Sequence, residues 1–371
     1  MERLYPNLIL DALRNVRYPG NGRDIVDLGM IADDIRIDGP KVSFTIVFDK
    51  PTDPFMKSIV KAAEAALHTY ISPEVEATIA TASRQPEQKA APMLPGVKNI
   101  IGVSSGKGGV GKSTVAVNLA VALAQEGYRV GLLDADIFGP SMPKMFGVED
   151  ETLYMVNKEG RDWIEPIERY GVKMLSIGFL VDRDKPVLWR GGMASNALRQ
   201  LISDAWWGDL DYFLIDMPPG TSDIHLTLVQ TLGITGVVVV STPQEVALAD
   251  ARKGIAMFTD DKVNVPILGL VENMAWFTPA QHPDERYYIF GEGGAVKLAE
   301  QSGVRLLARI PLVMDIRSHA DDGRPVAVAL EDDPQTADAE ARAFATLADN
   351  VVEAVAERNA KMPPSRKVDV K

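Results

Sequence analysis

The chain of 371 residues contains no cysteine. This absence excludes disulfide bonds, thiolate metal sites and cysteine nucleophiles. Histidine is scarce as well, since only four occur and no two of them have the spacing of metal ligands. We interpret His68 and His225 as ordinary helix residues. The residues themselves therefore predict neither a thiolate nor a histidine metal centre.

Long apolar runs and an excess of positive charge are also missing. No apolar run reaches the roughly 18 residues that a membrane span requires. The opening stretch MERLYPNLIL lacks the apolar core and the cleavage site of a signal peptide. The formal net charge of −12 at pH 7 opposes non-specific binding to nucleic acid or anionic lipid. We therefore expect a cytoplasmic protein that binds neither nucleic acid nor membrane.

The length and the composition, with 46% hydrophobic residues, are typical of two globular domains. Residues 83–97 contain three prolines and little apolar periodicity, which indicates a linker. We therefore predict a small domain at residues 1–82 and a large domain at residues 98–371. The acidic, alanine-rich segment 331–358 predicts a final surface helix.

Predicted elements in the small domain follow the order helix, strand, strand, helix, strand, which favours a small α+β fold. In the large domain, short aliphatic strands alternate with helices. Their continuous apolar runs indicate burial on both faces, as in a mostly parallel sheet with helices on both sides. Ligands bind such sheets at the carboxyl ends of the strands. The predicted strands are NIIGVSS, RVGLLDAD, VKMLSIG, DYFLIDMP, GVVVVST, VPILGLVEN and RLLARIP.

The segment GKGGVGKS, residues 106–113, matches the phosphate-loop pattern G-x-x-x-x-G-K-[ST]. It follows a predicted strand and opens a predicted helix, as the pattern requires. Lys112 is expected to reach the β- and γ-phosphates, and the Ser113 hydroxyl to bind Mg²⁺. We therefore predict a P-loop NTPase that binds ATP with Mg²⁺. The nucleotide-binding residues predicted from this loop are Gly106, Lys107, Gly108, Gly109, Val110, Gly111, Lys112, Ser113 and Thr114.

Three aspartates stand at the ends of predicted strands. Asp134 and Asp136 end RVGLLDAD, and Asp216 ends the apolar strand YFLID. A carboxylate buried there is costly unless it is bound to a partner. We therefore expect these side chains beside Mg²⁺ and the γ-phosphate. The alternative for Asp134 and Asp136 is the capping of a helix.

Two lysines five positions apart, Lys107 and Lys112, make KGGVGKST resemble the variant phosphate loop of the ATPase group that includes MinD, ParA, ArsA and the nitrogenase iron protein. In that group the first lysine reaches across a dimer to the nucleotide of the partner. The resemblance implies that Lys107 is catalytic and that the chain works as a homodimer. The alternative is that Lys107 is only a solvated charge.

Longer segments are similar to the Mrp/ApbC family, whose members are described as iron–sulfur cluster carriers with weak ATPase activity. The small domain also resembles the N-terminal domain of bacterial Mrp proteins, so the resemblance covers nearly the whole chain. It implies slow ATP hydrolysis, and iron–sulfur assembly factors or client apoproteins as partners. The segments that carry it are LLDADIFGPSMPKMFG, LWRGGMASNALRQL, WWGDLDYFLIDMPPGTSDIHLTL and ENMAWF.

The same resemblance implies roles for the residues at the strand ends. Asp136 would position or activate the attacking water, which makes it catalytic together with Lys107 and Lys112. Asp216 would hold Mg²⁺ through water, with Ser113 and Asp136 as the other metal-site residues. Asn273 would recognise adenine and Pro311 would line its pocket, although Asn273 has the alternative of capping a turn. Gly220 of the segment PPGTSD would contact the γ-phosphate.

This chain departs from the family where many members carry a Cys-x-x-Cys pair after ENM. Two such pairs from two subunits hold a bridging iron–sulfur cluster, but here TPAQHP stands in that place. A cysteine-free chain lacks the ordinary ligands of a cluster, so the resemblance implies this cofactor while the residues do not support it. Asp53 likewise stands where the small domain of relatives often has a cysteine. A hard-metal site formed by His282, Asp284 and Glu285 is the remaining alternative.

Nearby, Tyr287, Tyr288 and Phe290 are expected in the core, with a docking surface as the alternative. Three functions stay open at this point. The first is an iron–sulfur assembly ATPase, and the second is a nucleotide-switched adaptor whose small domain recruits clients. The third, a MinD/ParA-like positioning ATPase, is least favoured because the C-terminal segment RNAKMPPSRKVDVK has no apolar stripe.

Overall fold

The chain divides into two units, Met1–Ala91 and Pro92–Lys371. Of the predicted linker at residues 83–97, residues 85–92 lie outside the described part of the chain. Within the described part, no helix combines the length and apolar character that crossing a bilayer requires. The computed structural model describes residues 4–19, 22–50, 52–84, 93–137, 139–180, 191–279, 282, 285–313, 322–331 and 339–368.

The first unit is a three-stranded sheet with two helices, in the element order that the sequence predicts. Its middle strand pairs antiparallel with the strand before it and parallel with the last strand. The turn between the first two strands contains Gly39, whose φ of +58° favours glycine. The elements are α1 (Pro6–Leu13), β1 (Arg36–Asp38), β2 (Lys41–Phe48), α2 (Met56–Tyr70) and β3 (Glu76–Ser83).

Asp53 has a structural role in this unit. One of its carboxylate oxygens accepts a hydrogen bond of 2.6 Å from the Tyr18 hydroxyl, and the other accepts one of 2.8 Å from the backbone N–H of Phe55. The rings of Tyr18 and Phe55 also meet edge to face. Asp53 therefore fastens the segment that leads into α2.

The second unit contains ten strands and seven helices in its described residues. Two short 3₁₀ helices, Ile177–Phe179 and Val326–Glu331, accompany them. The elements are β4 (Val97–Ser105), α3 (Lys112–Gln125), β5 (Val130–Asp134), α4 (Met142–Met145), β6 (Met155–Lys158), β7 (Arg161–Ile164), β8 (Ile167–Arg169), β9 (Val172–Ser176), α5 (Gly191–Ser203), β10 (Leu210–Asp216), α6 (Asp223–Thr231), β11 (Gly236–Ser241), α7 (Glu245–Thr259), β12 (Ile267–Glu272), α8 (Gly294–Ser302), β13 (Leu306–Arg309) and α9 (Ala339–Lys361).

Eight of these strands form one sheet in the order β13-β12-β11-β4-β10-β5-β9-β8. All neighbours pair parallel except β8, which runs antiparallel to β9 at the edge. The predicted mostly parallel sheet is confirmed. The strand β8 and the separate β6–β7 hairpin were not predicted, because these strands are short and only partly buried.

Apolar side chains fill both faces of the sheet. The face covered by α3 and α9 holds one core, and the face covered by α5, α6 and α7 holds another. The last helix begins at Ala339 and buries Phe344, Leu347 and Val351 against α3. Its other face is exposed, so the predicted final surface helix is present, while residues 332–338 of the predicted segment lie outside the described residues.

The strand register places the predicted site residues along one edge of the sheet. Asp216 at the end of β10 pairs with Asp134 at the end of β5 on one side. On the other side it pairs with Val103 of β4, just before the phosphate loop. Three strand ends therefore meet where the sequence analysis expects a ligand.

Candidate nucleotide site

The phosphate loop joins β4 to α3 and depends on glycine at three positions, Gly106, Gly109 and Gly111. Gly109 and Gly111 have φ of +81° and +82°, which side chains rarely adopt. A Cβ on Gly106 would lie 2.1 Å from the backbone of Asp250 in α7. A Cβ on Gly111 would lie 2.2 Å from the side chain of Asn273. The loop is thus shaped by backbone conformation and by close packing.

Lys112 begins α3 and is buried, with 6% of its side chain exposed. Its ammonium donates a hydrogen bond to Oδ1 of Asp216, which is fully buried. The hydroxyl of Ser113 donates to Oδ2 of the same carboxylate at 2.6 Å. Nζ of Lys112 also lies 3.9 Å from Oδ2 of Asp136. Four predicted site residues from three segments are therefore brought together.

Two opposing effects act on Asp216. Burial raises the pKa of its carboxyl group, whereas the charge of Lys112 and the hydrogen bonds from Lys112 and Ser113 act in the opposite direction. A carboxylate and a hydroxyl 2.6 Å apart are both oxygen ligands of the kind that Mg²⁺ prefers. No cluster of three or more metal-binding His, Asp or Glu side chains occurs among the described residues.

Asp134 and Asp136 have different contacts, although the sequence predicts the same surroundings for both. Oδ2 of Asp134 accepts hydrogen bonds from the Ser176 hydroxyl at 2.8 Å and from the Met142 N–H at 3.4 Å. Its Oδ1 accepts one from the N–H of Asp136 at 3.1 Å. Burial, followed by the charge of Asp216, raises the pKa of Asp134. Asp134 therefore anchors the segment that carries Asp136, while Asp136 itself lies beside Lys112.

Residues 218–222 form a loop between β10 and α6, next to the phosphate loop. The N–H of Met217 donates to the Val103 carbonyl at 3.0 Å, and the N–H of Gly220 donates to the Ser105 carbonyl at 2.8 Å. Gly220 has a φ of +83°. The loop is thus attached to the end of β4 through Gly220, the residue that the sequence analysis places at the γ-phosphate.

His225 lies in the first turn of α6, as predicted for an ordinary helix residue. Its contact with the preceding loop was not predicted. Nδ1 accepts a hydrogen bond of 3.1 Å from the N–H of Ser222, which is the N-cap of α6. A signal for this contact was present, because Ser222 and His225 have the spacing of a capping box.

Asn273 directly follows β12 and is buried against the phosphate loop. Its side-chain amide donates a hydrogen bond of 2.8 Å to the carbonyl of Val110. Pro311 is also buried, and it follows Ile310, whose N–H donates to the Glu272 carbonyl at 2.8 Å. Both residues thus lie beside the ends of β12 and β13. Contact of either residue with adenine stays a prediction.

Lys107 is exposed at the tip of the phosphate loop. Its carbonyl accepts a hydrogen bond of 3.0 Å from the Ser105 hydroxyl. Among the described residues, no carboxylate lies within ion-pair distance of its ammonium. This lysine therefore differs from the buried, paired Lys112 in the same loop.

The segment TPAQHP, residues 278–283, lies only partly within the described residues, and Asp284 after it lies outside them. Nδ1 of His282 lies 3.3 Å from Oε1 of Glu285, and both side chains are exposed. The proposed set of three metal ligands thus falls partly outside the described residues. Tyr287 is 49% exposed, so its assignment to the core was wrong, and Tyr288 and Phe290 are partly exposed. Tyr287 pairs with Phe277 through the backbone, and its hydroxyl donates to the exposed Glu285, so its ring stays at the surface.

Comparisons with known proteins agree with this architecture. Residues 96–352 match the family model described as NUBPL iron-transfer P-loop NTPase. Residues 7–79 match the model of an iron–sulfur cluster assembly protein. The phosphate loop and most of the three-stranded unit therefore fall within two separate family matches.

Individual relatives extend over most of the chain. An iron–sulfur cluster carrier protein of Synechocystis is 45% identical over 342 residues, which are 91% of this chain and 95% of that protein. One of Pseudomonas fragi is 53% identical over 67% of this chain and 84% of its own length. A solved nucleotide-binding protein of Archaeoglobus fulgidus in complex with ADP is 40% identical with a TM-score of 0.55, covering 62% of this chain and 89% of that one. This chain belongs to the family of NUBPL iron-transfer P-loop NTPases.

Proposed function

We propose that this chain binds ATP with Mg²⁺, hydrolyses it slowly as a homodimer, and serves in iron–sulfur cluster assembly by delivering clusters to apoproteins. The observation that carries the proposal is the convergence of Lys112, Ser113 and Asp216 at the phosphate loop. Relatives named as iron–sulfur cluster carrier proteins, one of them matched over 91% of this chain, support the biological part. We place the protein in the cytoplasm, without nucleic acid or membrane as partner.

In this proposal the residues of the loop act mainly by position and charge. Lys112 is already fixed beside two carboxylates, so its ammonium can turn to the β- and γ-phosphates with little loss of side-chain freedom. Ser113 and Asp216 would hold Mg²⁺, which supplies positive charge against the phosphates when it is bound. Asp136, with 14% of its side chain exposed, would orient the attacking water.

Lys107 provides the reason to propose a homodimer. Its exposed ammonium stands at the tip of the loop without an ion pair to any described residue. A charge supplied to the nucleotide of a second copy would act as an arginine finger does, because it stabilises negative charge that develops during hydrolysis. Hydrolysis would then depend on dimerisation, and its rate would be slow when the protein is dilute.

The cluster is the cargo in this proposal, and its ligands must come largely from elsewhere. Clusters require thiolates, occasionally with histidine, and this chain has no cysteine. We infer that an assembly factor or client apoprotein brings the thiolates. ATP would set the conformation of the dimer and so its affinity for that partner.

A nucleotide-switched adaptor is the second candidate function. The observation that favours it is the cysteine-free segment 274–290, in which Tyr287 and Ile289 are exposed. In this version the chain recruits a client without contact to a cluster. Both versions share the same ATP site.

The test is a transfer assay with a cluster-loaded scaffold protein and a client apoenzyme whose activity requires a [4Fe–4S] cluster. We expect Mg²⁺ and ATP with the parent chain to accelerate activation of the client, and Lys112→Ala not to do so. ATP-dependent co-isolation of the client without faster activation would favour the adaptor. Absence of ATP binding by the parent chain would contradict both versions.

A further inference from the structure

His225 is a fully buried histidine for which the ATP site described above has no role. It stands at the third position of α6, three residues after the N-cap Ser222. Capping boxes usually carry glutamate or glutamine at this position, and their side chain accepts the N–H of the N-cap residue. Here Nδ1 of the imidazole accepts that N–H at 3.1 Å. The ring thus ties the end of the 218–222 loop to the helix.

The second ring nitrogen lacks a partner. Nε2 of His225 is buried and makes no hydrogen bond to any residue in the described part of the chain. Nδ1 also lies 3.2 Å from the hydroxyl and 3.3 Å from the carbonyl of Ser222. We assign the proton of the neutral ring to Nε2, because Nδ1 is the acceptor that faces the Ser222 N–H. A buried N–H donor without an acceptor is rare in folded proteins and requires an explanation.

The surroundings of the ring keep it neutral and in place. Burial lowers the pKa of His225 to about 4, and the charge of Lys112 acts in the same direction. The backbone groups of Ser222 and Pro218 act in the opposite direction, as acceptors close to the ring do. Phe258 packs edge to face with a distance of 6.0 Å between ring centroids. The ring is thus held between Ser222 at the end of the loop and Phe258 of α7, and it senses the charge of Lys112.

The 218–222 loop makes a hydrogen bond that the γ-phosphate of a nucleotide would replace. The N–H of Gly220 donates to the Ser105 carbonyl. If this N–H turns to a γ-phosphate, that bond is lost and the peptide groups before Gly220 shift with it. The carbonyl of Pro218 is the nearby acceptor on that part of the loop.

We propose that His225 is a positioning residue that makes the site distinguish ATP from ADP. Nδ1 holds Ser222 in both states, and the Nε2–H binds the carbonyl of Pro218 once the loop has moved onto the third phosphate. The inference rests on the proposed ATP site and assigns the selectivity of that site to a residue that does not touch the nucleotide.

The test compares His225→Gln with His225→Leu. Glutamine offers an acceptor and a donor, whereas leucine fills a similar volume with neither. Dissociation constants are measured for ADP and for a non-hydrolysable ATP analogue, each with Mg²⁺. We expect the glutamine variant to keep the selectivity of the parent chain. The leucine variant should keep its affinity for ADP but bind the ATP analogue about tenfold more weakly, the effect of one lost hydrogen bond.

A leucine variant with the selectivity of the parent chain would overturn the inference. The parent chain gives a second measurement, which decides the matter even if that variant does not fold. The ¹⁵N-labelled rings of its four histidines are observed by NMR, and His225→Gln assigns the signal of His225. We expect the Nε2–H signal to shift with the ATP analogue and not with ADP. The same signal in both complexes would contradict the inference, whereas a parent chain that binds neither nucleotide would contradict the proposed function instead.

Discussion

Lys112 and Asp216 stand 104 positions apart in the chain and form a buried ion pair at the phosphate loop. The Ser113 hydroxyl occupies the other oxygen of the same carboxylate. A buried pair of this kind is costly to desolvate and is weak evidence for stability. Its position at the ends of β4 and β10 fits the proposed function, because it keeps a cation and a carboxylate together where we propose that Mg²⁺ and the nucleotide bind.

Removal of the Lys112 ammonium should therefore affect both the binding of Mg²⁺-ATP and the stability of the fold. We expect Lys112→Ala to lower the affinity for Mg²⁺-ATP by about 100-fold or more, since a charged contact with the phosphates is lost. The free energy of unfolding should fall by about 3 kcal/mol, because Asp216 stays buried without its cation. Isothermal titration calorimetry and urea denaturation measure the two effects.

Lys98→Ala is the matched control, because the exposed Lys98 forms an ion pair of 2.8 Å with Asp211, a carboxylate that Arg129 also binds. Exposed pairs contribute about 0–1 kcal/mol, so this variant should bind ATP like the parent chain and unfold at nearly the same urea concentration. Equal ATP affinity of Lys112→Ala and Lys98→Ala would contradict the assignment of the phosphate site.

The phosphate loop and the sheet could be predicted because their signals are local. The glycines and Lys112 form a short pattern, and the burial of parallel strands appears as uninterrupted apolar runs. Asp216 was also predictable, because a carboxylate that ends an apolar strand requires a partner.

Contacts between distant segments could not be predicted in the same way. The division of roles between Asp134 and Asp136 depends on Ser176, which lies 42 positions after Asp134. The contact between Asn273 and the Val110 carbonyl joins residues 163 positions apart. No periodicity or motif records such distances, and the short strands of the β6–β7 hairpin have too little apolar alternation to be seen.

Lys107 gives the prediction about dimerisation. We expect Lys107→Ala to bind Mg²⁺-ATP like the parent chain but to hydrolyse it at least about tenfold more slowly, because a charge at the transition state is missing. Phosphate release measures the rate, and light scattering with an ATP analogue measures the mass. Lys158→Ala, at another exposed lysine, is the control. Parent-like hydrolysis by Lys107→Ala would mean that Lys107 is only a surface charge.

Asp134 should matter for the loop that follows β5. Asp134→Ala leaves three donors without their acceptor, from Ser176, Met142 and Asp136. We expect the free energy of unfolding to fall by about 3 kcal/mol, since each unsatisfied buried donor costs about 1–3 kcal/mol and the loop relaxes in part. Hydrolysis should slow because Asp136 is no longer fixed, while ADP still binds.

Ser176→Ala tests the same anchor more mildly, since it removes one of the three donors and leaves the carboxyl group in place. Its effect on unfolding and hydrolysis should be clearly smaller than that of Asp134→Ala. The assignment of Asp134 as an anchor is wrong if Asp134→Ala hydrolyses ATP at the rate of the parent chain.

Stability at acid pH should depend on His225. Burial lowers the pKa of this histidine to about 4 in the folded chain, against an ordinary value near 6.5. As the pH falls, His225 is therefore protonated in the unfolded chain before it is protonated in the folded chain. The free energy of unfolding is unaffected by this residue above about pH 6.5 and decreases as the pH falls towards 4. Relative to His225→Gln, the parent chain should lose about 3 kcal/mol over this range. Urea denaturation of both chains at several pH values gives the difference, and parallel curves would contradict the buried neutral ring.

The absence of cysteine leads to the prediction about iron. We expect the isolated chain not to hold a stable [4Fe–4S] cluster, although its relatives are named as cluster carriers. A cluster between two subunits requires four strong ligands, and carboxylates or one exposed imidazole such as His282 from each subunit are poor substitutes for thiolates.

The chain is purified without oxygen, reconstituted with iron and sulfide, and desalted. Visible absorption and iron per dimer are then measured, with and without Mg²⁺-ATP. Little iron should remain in either case, and a client that supplies thiolates should restore it. A stoichiometric cluster that survives desalting on the chain alone would show that this chain carries its cargo directly, with ligands other than cysteine.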